Sequence, residues 1–458
     1  MSSAILSNSV IRRALYRVRS ADFLKMKFNR RQGIGTAVVA AIVIVVAVAA
    51  AGGAYLLASS SPGTASTTTQ TVTTTSVQTS TNTLTSSLTS TLTNTVTSTT
   101  SLTNTVTSTS TTTQSTTHGA AATLNAAGST LVFPLMSAWT FAYQQYTGNV
   151  AVNYQSIGSG AGIAQLTAKT VDIGASDAPL SSAQYTAAPG TVVTVPESAS
   201  AVVPAYNLPG LTNGVKFTGP ILAKMFLGNI TQWNDPALVA INPGVTLPAH
   251  AITIVHRSDG SGTMFAFTNY LSDSSSTWKT QVGTGSAVNW PTGVGCKGNE
   301  GVAGCIGNTP YAIGPLEIAY QIINPGLISY GAVANAAGNF ILANLTNIAS
   351  AVAAGASANL PAGSGVWSNV SIINSIYNDT ADANIYPITT FTYLMVYQQQ
   401  ANQAQGTAVV NFLWWVVNNA QSAGSKLGYV PLPSNVVTID DAAIKTITYN
   451  GTPLYSGP

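Results

Sequence analysis

The sequence predicts an α/β fold over residues 120–458, preceded by a transmembrane helix and a disordered Ser/Thr stalk. Three observations lead to this prediction. β-rich runs alternate with helical patterns in the C-terminal part of the chain, as in α/β proteins. An apolar segment follows a strongly basic N-terminus, and a stretch of almost pure Ser and Thr separates that segment from the rest. The remaining length is sufficient for two domains.

The N-terminal part of the chain indicates a membrane anchor. Residues 1–33 carry eight of the sixteen Lys and Arg residues, and residues 34–58 are apolar or small. At ~1.5 Å per residue, a helix of about 24 residues spans roughly 36 Å, which crosses a bilayer. The cationic flank predicts a single-pass protein of the cell membrane with a cytoplasmic N-terminus and an extracellular folded domain. An uncut anchor and pilin-type processing near Gly33 both remain open, and both retain the helix.

Residues 59–119 predict a stalk. They are almost entirely Ser and Thr, and the octapeptide Leu-Thr-Asn-Thr-Val-Thr-Ser-Thr occurs at 92–99 and again at 102–109. Such a segment cannot bury enough apolar surface to fold, so we expect it to be disordered. A mucin-like, O-glycosylated spacer and a plain flexible tether are both compatible with this composition.

The charge of the folded region argues against nucleic acid as a partner. After residue 120 there are eight Lys and Arg against twelve Asp and Glu, a formal charge of about −4. The basic overall pI therefore comes from the N-terminal tail, and the folded region has no basic patch that could follow a phosphate backbone.

The two cysteines predict a disulfide rather than a metal site. Cys296 and Cys305 are the only cysteines, they lie close together in a Gly-rich loop, and they lie on the extracellular side of the predicted helix. The histidines, at positions 118, 250 and 256, have no ligand spacing with them. Two free thiols are the alternative, and neither a metal nor a cofactor is expected.

The folded region begins with alternating helix and strand patterns and ends on a helix with one buried face. In such folds ligands bind at the carboxyl ends of the strands. The predicted elements are helix 131–146, strand 150–155, helix 163–170, strand 171–175, the β-rich run 192–206, strand 252–256 and helix 406–423.

One loop carries the single arginine that lies beyond the N-terminal tail. Arg257 follows strand 252–256, and a guanidinium group presents five donors in a fork that suits tetrahedral oxyanions. Gly262 permits close backbone approach, while Ser261 and Thr263 add hydroxyl donors at the start of a predicted helix. The pattern favours an anion site, and a capped surface turn with a solvated arginine is the alternative.

Two more strand-to-helix junctions resemble this loop. The segment 127–130 precedes the first helix, and the segment 157–162 precedes the second. Each offers Gly, a hydroxyl and free helix amides, so the three loops together indicate convergence on one anion.

A carboxylate belongs to the same hypothesis. Asp177 follows strand 171–175, and an ionised Asp only accepts hydrogen bonds. It would favour an oxyanion that carries a proton, such as hydrogen phosphate, and reject sulfate, which carries none. A turn cap before Ala-Pro is the alternative for Asp177.

Taken together, these motifs resemble the phosphate-binding protein of the phosphate-specific ABC transporter, in an archaeal membrane-anchored form. The resemblance covers residues 126–458 and rests on motifs that occur in the family's order. They are Ala126-Ala-Gly-Ser-Thr, Val152-Asn-Tyr-Gln-Ser-Ile-Gly-Ser-Gly, Val171-Asp-Ile-Gly-Ala-Ser-Asp-Ala-Pro-Leu, Phe226-Leu-Gly-Asn-Ile-Thr-Gln-Trp-Asn-Asp-Pro, Val255-His-Arg-Ser-Asp-Gly-Ser-Gly-Thr, Lys297-Gly-Asn-Glu-Gly-Val-Ala-Gly, Ala312-Ile-Gly-Pro-Leu-Glu and Tyr386-Pro-Ile-Thr-Thr.

The resemblance implies a type II periplasmic-binding-protein fold that closes around its ligand. Lobe I would comprise residues 120–202 plus 385–458, and lobe II residues 203–384, joined by two crossovers. It implies that Asp259 holds the guanidinium of Arg257. It also implies a set of phosphate ligands, namely Thr130, Leu131 through its amide, Ser159, Asp177, Arg257, Ser261, Gly262 and Thr263. Leu131 departs from the family pattern, which usually has an aromatic residue at that position.

The implied function is high-affinity binding of extracellular inorganic phosphate and its delivery to an ABC permease. An enzyme such as a phosphatase is a weaker hypothesis, because no metal cluster, hydrolase-type histidine or Gly-x-Ser-x-Gly motif occurs. A surface adhesion protein has only the stalk in its support. Five glycosylation sequons fit an exported glycoprotein, at Asn229, Asn344, Asn369, Asn378 and Asn450.

Overall fold

The computed structural model describes residues 87–96, 102–111, 121–357, 360–361, 365–368 and 370–457. The predicted basic tail (1–33) and transmembrane helix (34–58) lie outside these residues. Within the described residues, no helix combines the length and the apolar character that a membrane crossing requires.

Part of the predicted stalk is not disordered. Strands β1 (Ser87–Val96) and β2 (Leu102–Thr111) pair antiparallel, with Leu92 opposite Val106 and Val96 opposite Leu102. The prediction of a disordered stalk was therefore wrong over these two segments. The reason is that Thr and Val are β-branched and favour extended backbone, so a Thr-rich repeat can pair with its own second copy.

The first group of elements after the stalk forms two parallel β–α–β units. Strand β3 lies between β4 and β5 and is parallel to both. The helices that connect these strands are α1 and α2. The bounds are β3 Ala122–Gly128, α1 Phe133–Thr147, β4 Val150–Ser156, α2 Ser159–Thr167 and β5 Ile173–Ser176.

Two long strands join this group to the rest of the main sheet. Strand β6 (Val192–Tyr206) pairs antiparallel with β14 (Thr389–Tyr397) along residues 192–201, and with β10 (Ala312–Glu317) along residues 202–206. Three further strands complete the main sheet, namely β8 (Thr253–Arg257), β9 (Val294–Cys296) and β11 (Ser329–Tyr330). Among the described residues this sheet has nine strands, in the order β4-β3-β5-β14-β6-β10-β8-β9, with β11 also paired to β6. Strand β6 thus runs continuously from one half of the sheet into the other.

The remaining elements surround the second half of the sheet or follow β14. They are α3 Ser182–Ala187, β7 Lys216–Phe217, α4 Gly219–Phe226, α5 Pro236–Ala240, β8 Thr253–Arg257, α6 Gly262–Ser274, α7 Ser276–Gln281, β9 Val294–Cys296, α8 Gly298–Asn308, α9 Ile318–Ile322, β11 Ser329–Tyr330, β12 Ala332–Ala334, β13 Phe340–Ile341, α10 Leu345–Ala356, α11 Ile372–Ile376, α12 Gln403–Asn418, a 3₁₀ helix Gln421–Leu427, α13 Ser434–Ile444, β15 Thr448–Tyr449 and β16 Thr452–Pro453.

Most predicted elements occur within a few residues of their expected bounds. Helix α2 differs, because it begins at Ser159 rather than at residue 163. Its N-cap is Gly158 at φ +93°, a conformation that glycine adopts readily, so the helix starts directly at the glycine-rich turn. The predicted helix 406–423 is also split, since α12 ends at Asn418 and a 3₁₀ helix follows. The predicted disulfide is confirmed, with 6.7 Å between the Cα atoms of Cys296 and Cys305.

Candidate anion-binding site

The loops that the sequence singled out meet at the carboxyl ends of the strands. Strands β3, β4 and β5 are parallel, so the turns that follow them lie at one edge of the sheet. The loop after β8 reaches the same place, because the amide of Gly160 donates to the carbonyl of Gly260 at 3.0 Å. Three separate segments of the chain therefore enclose one site.

Asp177 lies at the centre of this site. It directly follows β5, and only 1% of its surface is exposed. The hydroxyl of Ser129 donates to its Oδ1, and that of Thr392 lies 3.2 Å from the same oxygen. The hydroxyl of Ser159 lies 3.5 Å from Oδ2. The first two glycine loops and strand β14 thus all contact one carboxylate.

Burial raises the pKa of Asp177 to about 6, although hydrogen bonds from Ser129 and Thr392 and the charge of Arg257 oppose the rise. At neutral pH the carboxylate is therefore mostly ionised and can only accept hydrogen bonds. Below about pH 6 it becomes protonated and can donate.

The third loop is held against the other two by contacts that require glycine. The amide of Gly262 donates to the hydroxyl of Ser159 at 3.1 Å. A Cβ atom on Gly262 would lie 2.5 Å from the Cβ of Asp177, and one on Gly158 would collide with the carboxylate of Asp259. Larger residues at either position would therefore push the loops apart.

Arg257 is positioned by Asp259, as the resemblance implied. Their contact is bidentate, with Nε 2.8 Å from Oδ1 and Nη2 2.6 Å from Oδ2. The Arg257 side chain is 1% exposed and that of Asp259 17%. Burial alone would raise the pKa of Asp259, but its hydrogen bond and attraction to Arg257 lower it. The amide of Gly298 also donates to Asp259 at 3.1 Å, so the pair is fixed to the start of α8.

Asn299 is a site residue to which sequence reasoning gave no role. It is fully buried, and its side-chain Nδ2 lies 2.9 Å from the hydroxyl of Thr130 and 3.1 Å from that of Thr263. Its backbone amide also donates to Thr130 at 3.0 Å. The motif around Lys297 pointed to this segment, but nothing in it indicated a contact with two predicted ligand residues.

All of the predicted site residues lie in this region, and all except the half-buried Asp259 are buried. Several of their polar groups have hydrogen-bond partners within the protein. The amide of Leu131 donates to the Ser129 hydroxyl at 2.9 Å, and the Ser261 hydroxyl accepts from the amide of Met264 at 3.3 Å as the N-cap of α6. Within the described part of the chain, no group of three or more His, Cys, Asp or Glu could hold a metal ion.

Comparisons with known proteins relate the chain to a family of binding proteins. A family model described as a PBP superfamily domain matches residues 58–420. The phosphate-binding protein PstS of Xylella fastidiosa is 42% identical over 315 residues, which cover 69% of this chain and 82% of that protein. PstS of Methanocaldococcus jannaschii is 33% identical over 340 residues, which cover 71% and 86%.

A solved structure described as a human phosphate binding apolipoprotein has the same fold. It matches with a TM-score of 0.53 at 19% identity, over 72% of this chain and 99% of the other. The PstS relatives are binding proteins rather than enzymes, in agreement with the prediction that the chain is not an enzyme. The model match and the two PstS identities show that the chain belongs to the PstS family of phosphate-binding proteins, within the PBP superfamily.

Proposed function

We propose that this protein binds inorganic phosphate outside the cytoplasm and passes it to the permease of an ABC phosphate importer. One observation carries the proposal. A buried guanidinium group (Arg257) and a buried carboxylate (Asp177) lie in one site, together with four hydroxyl groups and the N-terminal ends of three helices. A cation with many donors suits an oxyanion, and a carboxylate among them suits an oxyanion that carries a proton.

The proposed ligands are those that the resemblance implied: Thr130, Leu131, Ser159, Asp177, Arg257, Ser261, Gly262 and Thr263. Several of these groups contact one another or share a partner. The amide of Gly262 donates to Ser159, and Asn299 contacts both Thr130 and Thr263. These contacts show that the donors point toward a common centre. A phosphate ion that enters would accept hydrogen bonds from the same donors.

The two lobes are the second element of the proposal. Residues 120–202 plus 385–458 would form lobe I, and residues 203–384 lobe II, with β6 passing between them. The contacts from Ser159 to Gly262, from Gly160 to Gly260 and from Thr130 to Asn299 each join one lobe to the other. Opening would break these contacts, and a bound anion that touches both lobes would favour closure.

The membrane attachment completes the proposal. The apolar segment 34–58 would anchor the protein in the cell membrane, the stalk would hold the domain away from it, and sequons on the domain would carry glycans. Tethering would keep the phosphate receptor near its permease, because a tether raises the effective concentration of the receptor at the permease.

The test is calorimetric titration of the full-length protein, purified in detergent micelles, with phosphate and separately with sulfate. We expect phosphate to bind and sulfate to give no signal near neutral pH. Arg257→Gln should abolish phosphate binding. Lys224→Gln, which removes an exposed cation from α4, should retain it. Binding that survives Arg257→Gln would refute the site, and absence of phosphate binding by the wild type would refute the function.

A further inference from the structure

A second buried carboxyl group reaches the site from strand β6. Glu197 lies at an irregularity in the pairing of β6 with β14, where Thr392 is opposite Ser198 but the next residue, Tyr393, is opposite Pro196. Glu197 is the extra residue of this β-bulge. A bulge turns a side chain away from the direction that strand alternation would give it. Here the outcome is a fully buried acid in a strand that has no other charged residue.

Glu197 is connected to Asp177 through one hydroxyl group. The Oγ1 atom of Thr392 lies 3.0 Å from Oε1 of Glu197 and 3.2 Å from Oδ1 of Asp177. Thr392 is itself fully buried. The other oxygen of Glu197, Oε2, has no hydrogen-bond partner among the described residues.

Counting hydrogens decides the protonation of the pair. A threonine hydroxyl has one hydrogen, so it can donate to one carboxyl oxygen only. If Glu197 and Asp177 were both ionised, one of the two contacts would bring together two acceptors with no hydrogen between them. One additional proton removes this conflict, because a carboxylic acid can donate to the hydroxyl while the hydroxyl donates to the carboxylate.

The surroundings place that proton on Glu197. Asp177 receives a further hydrogen bond from Ser129 and is attracted by Arg257, and both favour its ionised form. The charged and titratable groups that act on Glu197 are Asp177, beyond the end of β5, and Tyr154 on β4, and neither is a cation. An ionised Glu197 would also bury an oxygen without a donor, which is costly.

We propose that Glu197 is a protonated acid that holds Asp177 as an acceptor through Thr392, and that loss of its proton in alkaline solution weakens phosphate binding. The second half of this proposal rests on the proposed function. Burial raises the pKa of Glu197 to about 8, the contact with Thr392 opposes the rise, and the charge of Asp177 adds to it. Above that pH the site gains a second negative charge, and Thr392 can satisfy only one of the two carboxylates.

The first experiment is calorimetric titration of full-length protein with phosphate from about pH 6 to about pH 9.5. Above about pH 8 we expect the phosphate affinity of the wild type to fall by a factor that approaches tenfold per pH unit. Glu197→Gln should match the wild type near pH 7, because its amide also donates to Thr392, and should lose much less affinity in alkali. Asp440→Asn removes another fully buried carboxyl that has no hydrogen-bond partner in the described structure, and it should keep the wild-type profile. Equal alkaline loss in the Glu197→Gln variant would overturn the switch.

The second experiment does not depend on phosphate. The infrared difference spectrum between wild type and Glu197→Gln, at neutral pH and without ligand, should show one carboxylic-acid carbonyl band that the variant lacks. Loss of a carboxylate band instead would overturn the protonated state. This readout still reports on Glu197 if phosphate does not bind at any pH, so it separates failure of this inference from failure of the proposed function. Circular dichroism of each variant establishes that it is folded.

Discussion

Replacement of Asp177 by asparagine tests the chemistry at the centre of the proposed site. The two side chains have nearly the same shape, and the amide oxygen can still accept the hydrogen bonds that Ser129 and Thr392 direct at Oδ1. The substitution changes the Oδ2 position, where a carboxylate oxygen that accepts hydrogen bonds becomes an NH₂ group that donates them. The variant should therefore fold and bind oxyanions, but it should no longer require a proton on them.

The size of the effect follows from the pKa of Asp177, which burial raises to about 6. Sulfate carries no proton, so it should bind well only when Asp177 is itself protonated. That fraction is about 1% at pH 8 and about 90% at pH 5, so wild-type sulfate affinity should rise roughly 90-fold over this range. Phosphate retains a proton throughout, and its affinity should change much less. In Asp177→Asn the sulfate profile should be flat, and discrimination at pH 8 should fall by about two orders of magnitude.

The assay is calorimetric titration of both proteins with both anions at about pH 5 and about pH 8, at constant ionic strength. Asp172→Asn is the matched control. Asp172 lies just before β5, whereas Asp177 lies just after this strand. Asp172 accepts hydrogen bonds from Asn125 and Gln405 and does not contact the site. It should leave both profiles unchanged. A wild-type sulfate affinity that does not rise in acid, or an Asp177→Asn variant that still rejects sulfate at pH 8, would refute the acceptor role.

Three further predictions concern Arg257, the disulfide and the buried acid Glu317. Arg257→Lys loses the bidentate contact of the guanidinium group, and phosphate affinity measured by calorimetry should fall by about 2 kcal/mol. Replacing both Cys296 and Cys305, which are nine residues apart, with Ser should lower the free energy of denaturant unfolding by about 2–3 kcal/mol, and reductant should then have no effect. Burial raises the pKa of Glu317 to about 8, so the stability it contributes is complete below about pH 4.5 and is lost as pH rises through 8. Between about pH 4.5 and about pH 8, the unfolding free energy of Glu317→Gln should therefore decrease less steeply with pH than that of the wild type, by up to about 1.4 kcal/mol per pH unit.

The parts of the site that were predictable are those in which function is local in sequence. A glycine-rich turn that leads from a strand into a helix presents free amides to an anion, so the segments around Thr130, Ser159 and Arg257 could be identified from their own residues. The alternation of strand and helix patterns predicted the α/β fold, and the order of the motifs along the chain supplied the resemblance to the family. The start of α2 was misplaced by four residues because Gly160 and Gly162 lower the helix propensity of its first turn.

The parts that were not predictable depend on how distant segments meet. Asn299 contacts Thr130 across 169 positions, and only the packing of α8 against the first loop brings them together. Glu197 depends on register. With regular pairing, its side chain would follow the alternation of β6, and the bulge opposite Thr392 is set by the whole β6–β14 ladder rather than by neighbouring residues.

The buried acids also change what the composition says about the domain's charge. Counting side chains gives about −4 for the folded region, a field that would repel phosphate. Burial raises the pKa values of Glu197 and Glu317 to about 8, so both are largely neutral at pH 7 and the region is less negative than the count of side chains gives. In a site that contains one arginine and one acceptor carboxylate, an ionised Glu197 would oppose the ligand directly. The domain can therefore place carboxyl groups beside an anion site because burial keeps the additional ones protonated, and the same burial makes phosphate binding sensitive to alkali.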